Sequence, residues 1–90
     1  MDDVVLPPDL AIEIISPGQT VKNVTARLRW CVRNGVELAW LIQPRKERAF
    51  VFRPNQPIET LGRDQALDGE QVIPGFRLAL SDLFSWIDED

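Results

Sequence analysis

The sequence predicts an α+β domain in which one main helix packs on a mixed β-sheet, in the order β-α-β-β-β. The first observation is an apolar stripe at helical spacing in the first half of the chain. The second is a set of short β-branched and aromatic segments on both sides of that stripe, separated by turn residues. The third is length, because 90 residues suffice for one small domain. Residues 1–90 are therefore assigned to a single domain.

The first strand is predicted at residues 9–15, after two prolines. Its β-branched residues favour an extended chain, and successive side chains on a strand point to opposite faces. Asp9, Ala11, Glu13 and Ile15 therefore share one face, and leucine and isoleucine occupy the other. Glu13 is unexpected in this apolar run, because removing an ionised carboxylate from water costs several kcal/mol unless a cation or hydrogen-bond donors replace the water.

The main helix is predicted at about residues 19–34. Ser16 and Gln19, with Pro17 between them, resemble a capping box. The helix is expected to begin there or a few residues later, since Gly18 is a poor interior residue. Asn34-Gly35 supplies a C-terminal cap. The apolar stripe that identifies the helix consists of Val21, Val24, Leu28, Cys31 and Val32.

The next two segments predict an antiparallel pair of strands. ELAWLIQP, at residues 37–44, reads as a mostly buried strand. RAFVFRP, at residues 48–54, reads as its partner, with Ala49, Val51 and Pro54 near the exposed or edge side.

The last third of the chain predicts short elements only. Residues 58–61 are expected to form an edge strand, and DGEQVIPGFRLAL contains turns and another short strand. Ser81 is expected to cap a final turn or helix, DLFSWI, whose apolar residues dock on the fold. Trp30, Trp40 and Trp86 are expected to form core or dimer contacts, with base stacking as the alternative.

The amino-acid composition excludes several classes of function. A net charge of -4 argues against a simple basic nucleic-acid binder but not against a nuclease, which needs acidic residues and only local cations. The single cysteine, Cys31, excludes an internal disulfide and fits a reducing cytoplasm. The absence of histidine argues against a zinc site and excludes a histidine-based triad. No apolar run approaches the roughly 20 residues that span a bilayer, so no membrane association is expected.

Glu13 is the first candidate functional group. It is interpreted either as a ligand for Mg²⁺ or another hard divalent cation, or as a strand-end acid that reaches solvent or a salt bridge. Asp9 shares its face but lies roughly 13 Å away along the strand, so the two cannot share one ion without a bend. The alternative for Asp9 is a turn or strand-entry acid.

The predicted helix carries four cations. Lys22, Arg29 and Arg33 cluster away from the apolar stripe, where they are either a solvated face or phosphate contacts. Arg27 lies apart, at the flank of the stripe. From there it can lean over the strand beneath the helix and come close to Glu13, either as an ordinary ion-pair partner or as part of a site.

The order of several motifs resembles a known family. PDLAIEIISP precedes the helix, and NGVELAWLIQP, AFVFRP and LDGEQVIPGF follow it. Together they are similar to the Uma-two restriction endonuclease family, within the PD-(D/E)xK nuclease superfamily, from about Pro8 to Phe84. The resemblance implies a restriction-endonuclease-like core that hydrolyses DNA phosphodiesters with Mg²⁺. It also implies that Glu13 is a metal ligand and that Arg27, eight residues before Gly35, occupies the position of the family's catalytic lysine.

Two departures qualify that implication. The family's upstream strand, which carries a metal-binding aspartate, has no match here, so the sequence matches the C-terminal half of the nuclease domain. Arginine at position 27 keeps the positive charge but does not readily release a proton. We therefore expect this chain to be inactive unless a partner chain completes the site, for example in a homodimer. The alternative function is a truncated, non-catalytic interaction or dimerisation module. DNA is the expected substrate, Mg²⁺ is expected to bind weakly, and no small-molecule cofactor is expected.

Overall fold

The computed structural model describes residues 9–87, which form a four-stranded sheet covered by one helix on each face. The α+β class, the mixed sheet and the order β-α-β-β-β are confirmed, and two short strands and a second helix follow. The two prolines predicted to precede the first strand lie outside the described residues. In chain order the elements are β1 (Leu10–Ile14), α1 (Val21–Arg33), β2 (Leu38–Gln43), β3 (Arg48–Phe52), β4 (Glu59–Gly62), β5 (Ala66–Asp68), β6 (Arg77–Ala79) and α2 (Leu80–Ile87).

The main sheet has the strand order β1-β2-β3-β4. β1 is parallel to β2, with Glu13 beside Leu41, because α1 carries the chain back across the sheet. β2, β3 and β4 form an antiparallel meander. β5 and β6 form a separate antiparallel pair. β2 is buried on both faces from Leu38 to Ile42, which explains its continuous apolar sequence.

Helix α1 begins later than the Ser16–Gln19 pair suggests. The Gln19 side chain does accept hydrogen bonds from the Ser16 N–H and hydroxyl, both at 2.9 Å. These bonds close a turn before the helix, and Gly18 in that turn has a φ of +94°. The N-cap is instead Thr20, whose hydroxyl accepts the Asn23 N–H at 3.1 Å. Of the two expected starts, the structure has the later one, and the hydrogen bonds between Ser16 and Gln19 form before the helix.

The hydrophobic core forms one cluster on each face of the sheet. The cluster under α1 contains Val24, Leu28, Val36, Ala39, Leu41 and Phe52. The cluster under α2 contains Leu38, Trp40, Ile42, Ala49, Val51, Leu61, Leu67, Leu80 and Phe84. Alternate residues of β2 enter opposite clusters, so this strand fixes α1 and the last third of the chain on opposite sides.

The prediction that Ala49 and Val51 lie on the exposed side of β3 is wrong. Their exposed fractions are 0% and 3%. They face the α2 cluster, where Leu80 and Phe84 cover them. The covering helix comes some thirty residues later in the chain, so the local pattern of β3 did not indicate it.

The three tryptophans do not form one packing surface within the described part of the chain. Trp40 is 2% exposed and stacks on Phe76, with ring centroids 5.9 Å apart. Trp30 is 63% exposed and Trp86 is 60% exposed. Ser81 does not cap α2, because that helix already begins at Leu80.

Candidate functional site

The described structure brings Glu13 and Arg27 together, at the outer edge of the sheet where α1 crosses β1. An Arg27 Nη2 atom lies 3.1 Å from Glu13 Oε1. Glu13 is held on this face by its neighbours, since Ala11 and Ile15 pack against the α1 cluster. Arg27 reaches the strand because Val24 and Leu28, which flank it along the helix, are both buried against the sheet. The predicted approach of Arg27 to Glu13 is thus present in the structure.

The ion pair is accessible to solvent. The Arg27 side chain is 52% exposed and the Glu13 side chain is 34% exposed. Pairs of this exposure contribute only about 0.2–1 kcal/mol to stability, because water screens the charges and ordering two long side chains costs entropy. The fold therefore does not depend on this pair, and both side chains remain open to a ligand from outside.

Asp9 contributes to the entry of β1 through its main chain. Its carbonyl accepts the N–H groups of Glu37 and Leu38, both at 3.2 Å, which joins the start of β1 to the start of β2. Its side chain is exposed. These contacts are those of the predicted strand-entry residue.

Residues 9–87 contain no group of three or more acidic, histidine or cysteine side chains placed to hold a metal ion. Glu13 offers one carboxylate, and the nearer oxygen already faces Arg27. Mg²⁺ in nuclease-type sites is held by one or two carboxylates together with water and substrate phosphate. A lone carboxylate that is paired with a guanidinium does not fit a complete Mg²⁺ site.

The three other cations of α1, Lys22, Arg29 and Arg33, are all exposed. Arg29 and Arg33 line a cleft of about 600 Å³ between the end of α1 and the segment that joins β3 to β4. The cleft floor includes Phe52 and Ile58. Within the described residues, none of the three cations forms an ion pair with an acid.

Sequence reasoning missed a second charged cluster, beside the same cleft. Arg53 follows β3 and donates its Nε–H to Glu70 Oε2 at 2.8 Å, while Nη2 lies 2.7 Å from the same oxygen. Nη2 is also 3.0 Å from Glu59 Oε1. The hydrogen bond to Glu70 raises the pKa of Arg53 above its ordinary value, and that to Glu59 adds to the effect, although partial burial opposes both. Arg53 is therefore a structural cation that ties the loop after β5 to the sheet.

One signal for this cluster was available in the sequence. Arg53 lies in the segment AFVFRP and Glu70 in LDGEQVIPGF, and both segments stood out as motifs. The two residues are seventeen positions apart in the sequence, so no helical or strand periodicity could pair them.

Comparison with known proteins identifies the family of this chain. No helix among residues 9–87 has the length and apolar character needed to cross a membrane. Residues 2–81 match the Uma2 family, described as "Putative restriction endonuclease". The structure is similar to the crystal structure of a putative nuclease belonging to DUF820 from Anabaena variabilis ATCC 29413, with a TM-score of 0.85 and 34% identity. That similarity covers 92% of this chain but 47% of the other. No curated protein matches. The chain therefore belongs to the Uma2 family and has its restriction-endonuclease-like fold.

Proposed function

We propose that this chain is a domain for metal-dependent hydrolysis of DNA phosphodiesters, and that Glu13 and Arg27 are its contribution to the active site. The observation that carries the proposal is the Glu13–Arg27 pair, because it joins an acid and a cation at a solvent-accessible position on a nuclease-type fold. Glu13 is assigned as a Mg²⁺ ligand. Arg27 is assigned to hold the phosphate and stabilise negative charge on it, since a guanidinium does not serve readily as a proton donor or acceptor. Lys22, Arg29 and Arg33 are assigned to contact the DNA backbone.

A single copy of residues 9–87 does not suffice for this activity. It offers one carboxylate at the site, and Arg27 competes with a cation for that carboxylate. We therefore propose that a further carboxylate comes from outside these residues and that one copy alone is inactive. The cytoplasmic location expected from the lone Cys31 stays a prediction.

Plasmid cleavage tests the role of Glu13. Wild-type protein, Glu13→Gln and Glu37→Gln are incubated with supercoiled plasmid and Mg²⁺ or Mn²⁺. Glu37 is the matched control, because it is an exposed acid outside the strands. Nicking is expected from wild type and Glu37→Gln at concentrations that support assembly, and not from Glu13→Gln. Equal nicking by all three proteins would remove Glu13 from the site.

A second candidate function is dimerisation through β1, and a specific observation favours it. Ile12 and Ile14 are 53% and 50% exposed, side by side on the face of β1 that looks away from α1. Among residues 9–87, no strand pairs with the outer edge of β1. Two adjacent, half-exposed isoleucines at an open strand edge are typical of a surface that another strand covers.

The backbone of β1 fits pairing with a second copy of itself. The Asp9 carbonyl and the Ile15 N–H both bond to the β2 side, so the odd-numbered residues point their main-chain groups at β2. Those of Leu10, Ile12 and Ile14 consequently point at the outer edge. A two-fold antiparallel pair centred on Ile12 uses these groups, and it places Leu10 opposite Ile14 of the second copy.

The same register brings the two candidate sites together. Glu13 lies opposite Ala11 of the second copy, so no like charges face each other directly. The two Glu13 residues become diagonal neighbours on one face, about 7–8 Å apart. Two carboxylates at that spacing can share a divalent cation. The β2 strands of the two copies lie three strand spacings, or about 14 Å, apart, and α1 packs mainly over β2, so this register leaves room for both α1 helices.

Light scattering tests this assembly. Wild-type protein is expected to have the mass of a dimer, and Ile12→Lys the mass of a monomer. Ile73→Lys is the control, because Ile73 is 40% exposed but lies far along the chain, outside β1. A wild-type monomer, or a dimer that Ile12→Lys leaves intact, would contradict pairing through β1.

A further inference from the structure

The outer face of α1 carries an exposed aromatic ring between two arginines. Trp30 is three residues after Arg27 and three residues before Arg33. Residues three apart on a helix are neighbours, with Cβ atoms roughly 5–6 Å apart. Trp30 is 63% exposed, although large aromatic side chains gain most from burial. An indole held in water by the fold is therefore available to a ligand.

The charge around Trp30 contrasts with that of the whole chain. The thirteen residues of α1 include Lys22, Arg27, Arg29 and Arg33 and no acid, whereas the chain has a net charge of -4. Four of the chain's ten lysines and arginines thus lie on this helix, with no acid among its residues. The helix is therefore locally positive and attracts an anionic polymer, although the chain as a whole is acidic.

Trp86 shows that an exposed tryptophan alone does not create such a surface. It is 60% exposed, which is close to the value for Trp30. Its helix, α2, carries Asp82 and no cation. The two tryptophans are matched in exposure and differ in the charge of the helix that carries them.

The order of side chains around α1 leads to the candidate active site. At about 100° per residue, the row of Lys22, Arg29 and Arg33 is followed around the helix by Trp30 and then by Arg27. Arg27 contacts Glu13. An extended ligand that crosses the helix along this path contacts Arg33, then the Trp30 ring and then Arg27 before it reaches Glu13.

We propose that the outer face of α1 binds single-stranded nucleic acid, with Trp30 stacked on an unpaired base and Arg27 and Arg33 on the flanking phosphates. An alternation of cations and an aromatic ring suits a single strand, because phosphates and exposed bases alternate there, whereas the bases of a duplex are stacked on each other. The evidence for binding by this face is the charge of α1 and the exposure of Trp30. Only the idea that the bound strand leads toward Glu13 rests on the proposed function.

Fluorescence anisotropy with a labelled oligothymidylate in EDTA tests the proposal without cleavage. Trp30→Ala is expected to weaken binding by between about 5- and 150-fold, the range for loss of one base–aromatic stack. Trp30→Phe retains a ring and is expected to recover most of the affinity. Trp86→Ala, the matched control, is expected to bind as wild type does. Thermal melts check that each variant is folded.

Two further arms separate stacking from charge alone. A duplex of the same length is expected to bind with an affinity that Trp30→Ala leaves unchanged. Polyglutamate is expected not to displace the oligonucleotide. An equal effect of Trp30→Ala and Trp86→Ala, an equal loss on duplex and single strand, or displacement by polyglutamate would each overturn the proposal. The anisotropy assay contains EDTA and requires no cleavage, so a failure of the cleavage proposal is distinguishable from a failure of this one.

Discussion

Substitution of Gly69 tests the packing of the turn between β5 and β6, which contacts the sheet through Phe76. Its N–H donates to the Phe76 carbonyl at 2.9 Å, and its own carbonyl accepts the N–H groups of Val72 and Ile73, both at 3.0 Å. A Cβ atom at position 69 would overlap the Ile73 carbonyl oxygen and lie 2.9 Å from Ile73 Cβ and 3.0 Å from Phe76 Cβ. Phe76 stacks on the buried Trp40, so its displacement would extend into the core.

The expected cost of Gly69→Ala follows from that overlap. Overpacking typically costs about 1–3 kcal/mol, and the upper end applies here because one of the obstructing atoms is backbone. For a domain of this size, about 3 kcal/mol lowers the melting temperature by roughly 12–24 °C.

Two other glycines calibrate the measurement. Gly62→Ala places its Cβ no closer than 3.9 Å to the Gln65 side chain and is expected to change stability by less than about 0.5 kcal/mol. Gly18→Ala meets nothing within 4 Å, but its φ of +94° costs about 1–2 kcal/mol. Thermal melts followed by circular dichroism compare the three variants. A Gly69→Ala protein as stable as Gly62→Ala would refute the packing described for this turn.

Three other substitutions test separate features by thermal or urea unfolding. Arg53→Met is expected to cost about 1–2 kcal/mol through the lost bonds to Glu70 and Glu59. Because the pKa of Arg53 is raised, its contribution to the free energy of unfolding is complete below the ordinary pKa of arginine and is lost only above it. The substitution should therefore lower stability equally at about pH 7 and about pH 9. A loss of stability at only one of these pH values would contradict this. Thr20→Ala is expected to cost about 1 kcal/mol as the N-cap of α1, and no change would move the cap elsewhere. Phe84→Ala empties a fully buried site and is expected to cost about 3–5 kcal/mol, whereas a loss below about 1 kcal/mol would show that α2 does not cover the sheet.

The site pair was within reach of sequence reasoning because both members lie on regular elements. The two-residue period of β1 places Glu13 on the face of Ala11 and Ile15, and the helical period of α1 places Arg27 at the edge of its buried stripe. Once the helix packs on that face of the strand, the Glu13 and Arg27 side chains come within contact distance.

Other features depend on contacts between distant segments. Ala49 and Val51 alternate correctly along β3, but which face is covered is decided by α2, whose own short pattern does not reveal where it docks. Arg53 and Glu70 meet because the loop after β5 folds back beside β3. The local periodicity of a sequence does not indicate which distant segments pack against each other.

In the proposed function, one copy of residues 9–87 supplies half of a nuclease site, to which Glu13 contributes one carboxylate. The most direct measurement is plasmid nicking in Mn²⁺ by wild type and by Ile12→Lys, over a range of protein concentrations and with the mass of each protein measured in parallel. Nicking by wild type is expected to rise with the fraction of dimer, and monomeric Ile12→Lys is expected to be inactive at every concentration. Monomeric Ile12→Lys that nicks plasmid as fast as wild type would contradict the claim.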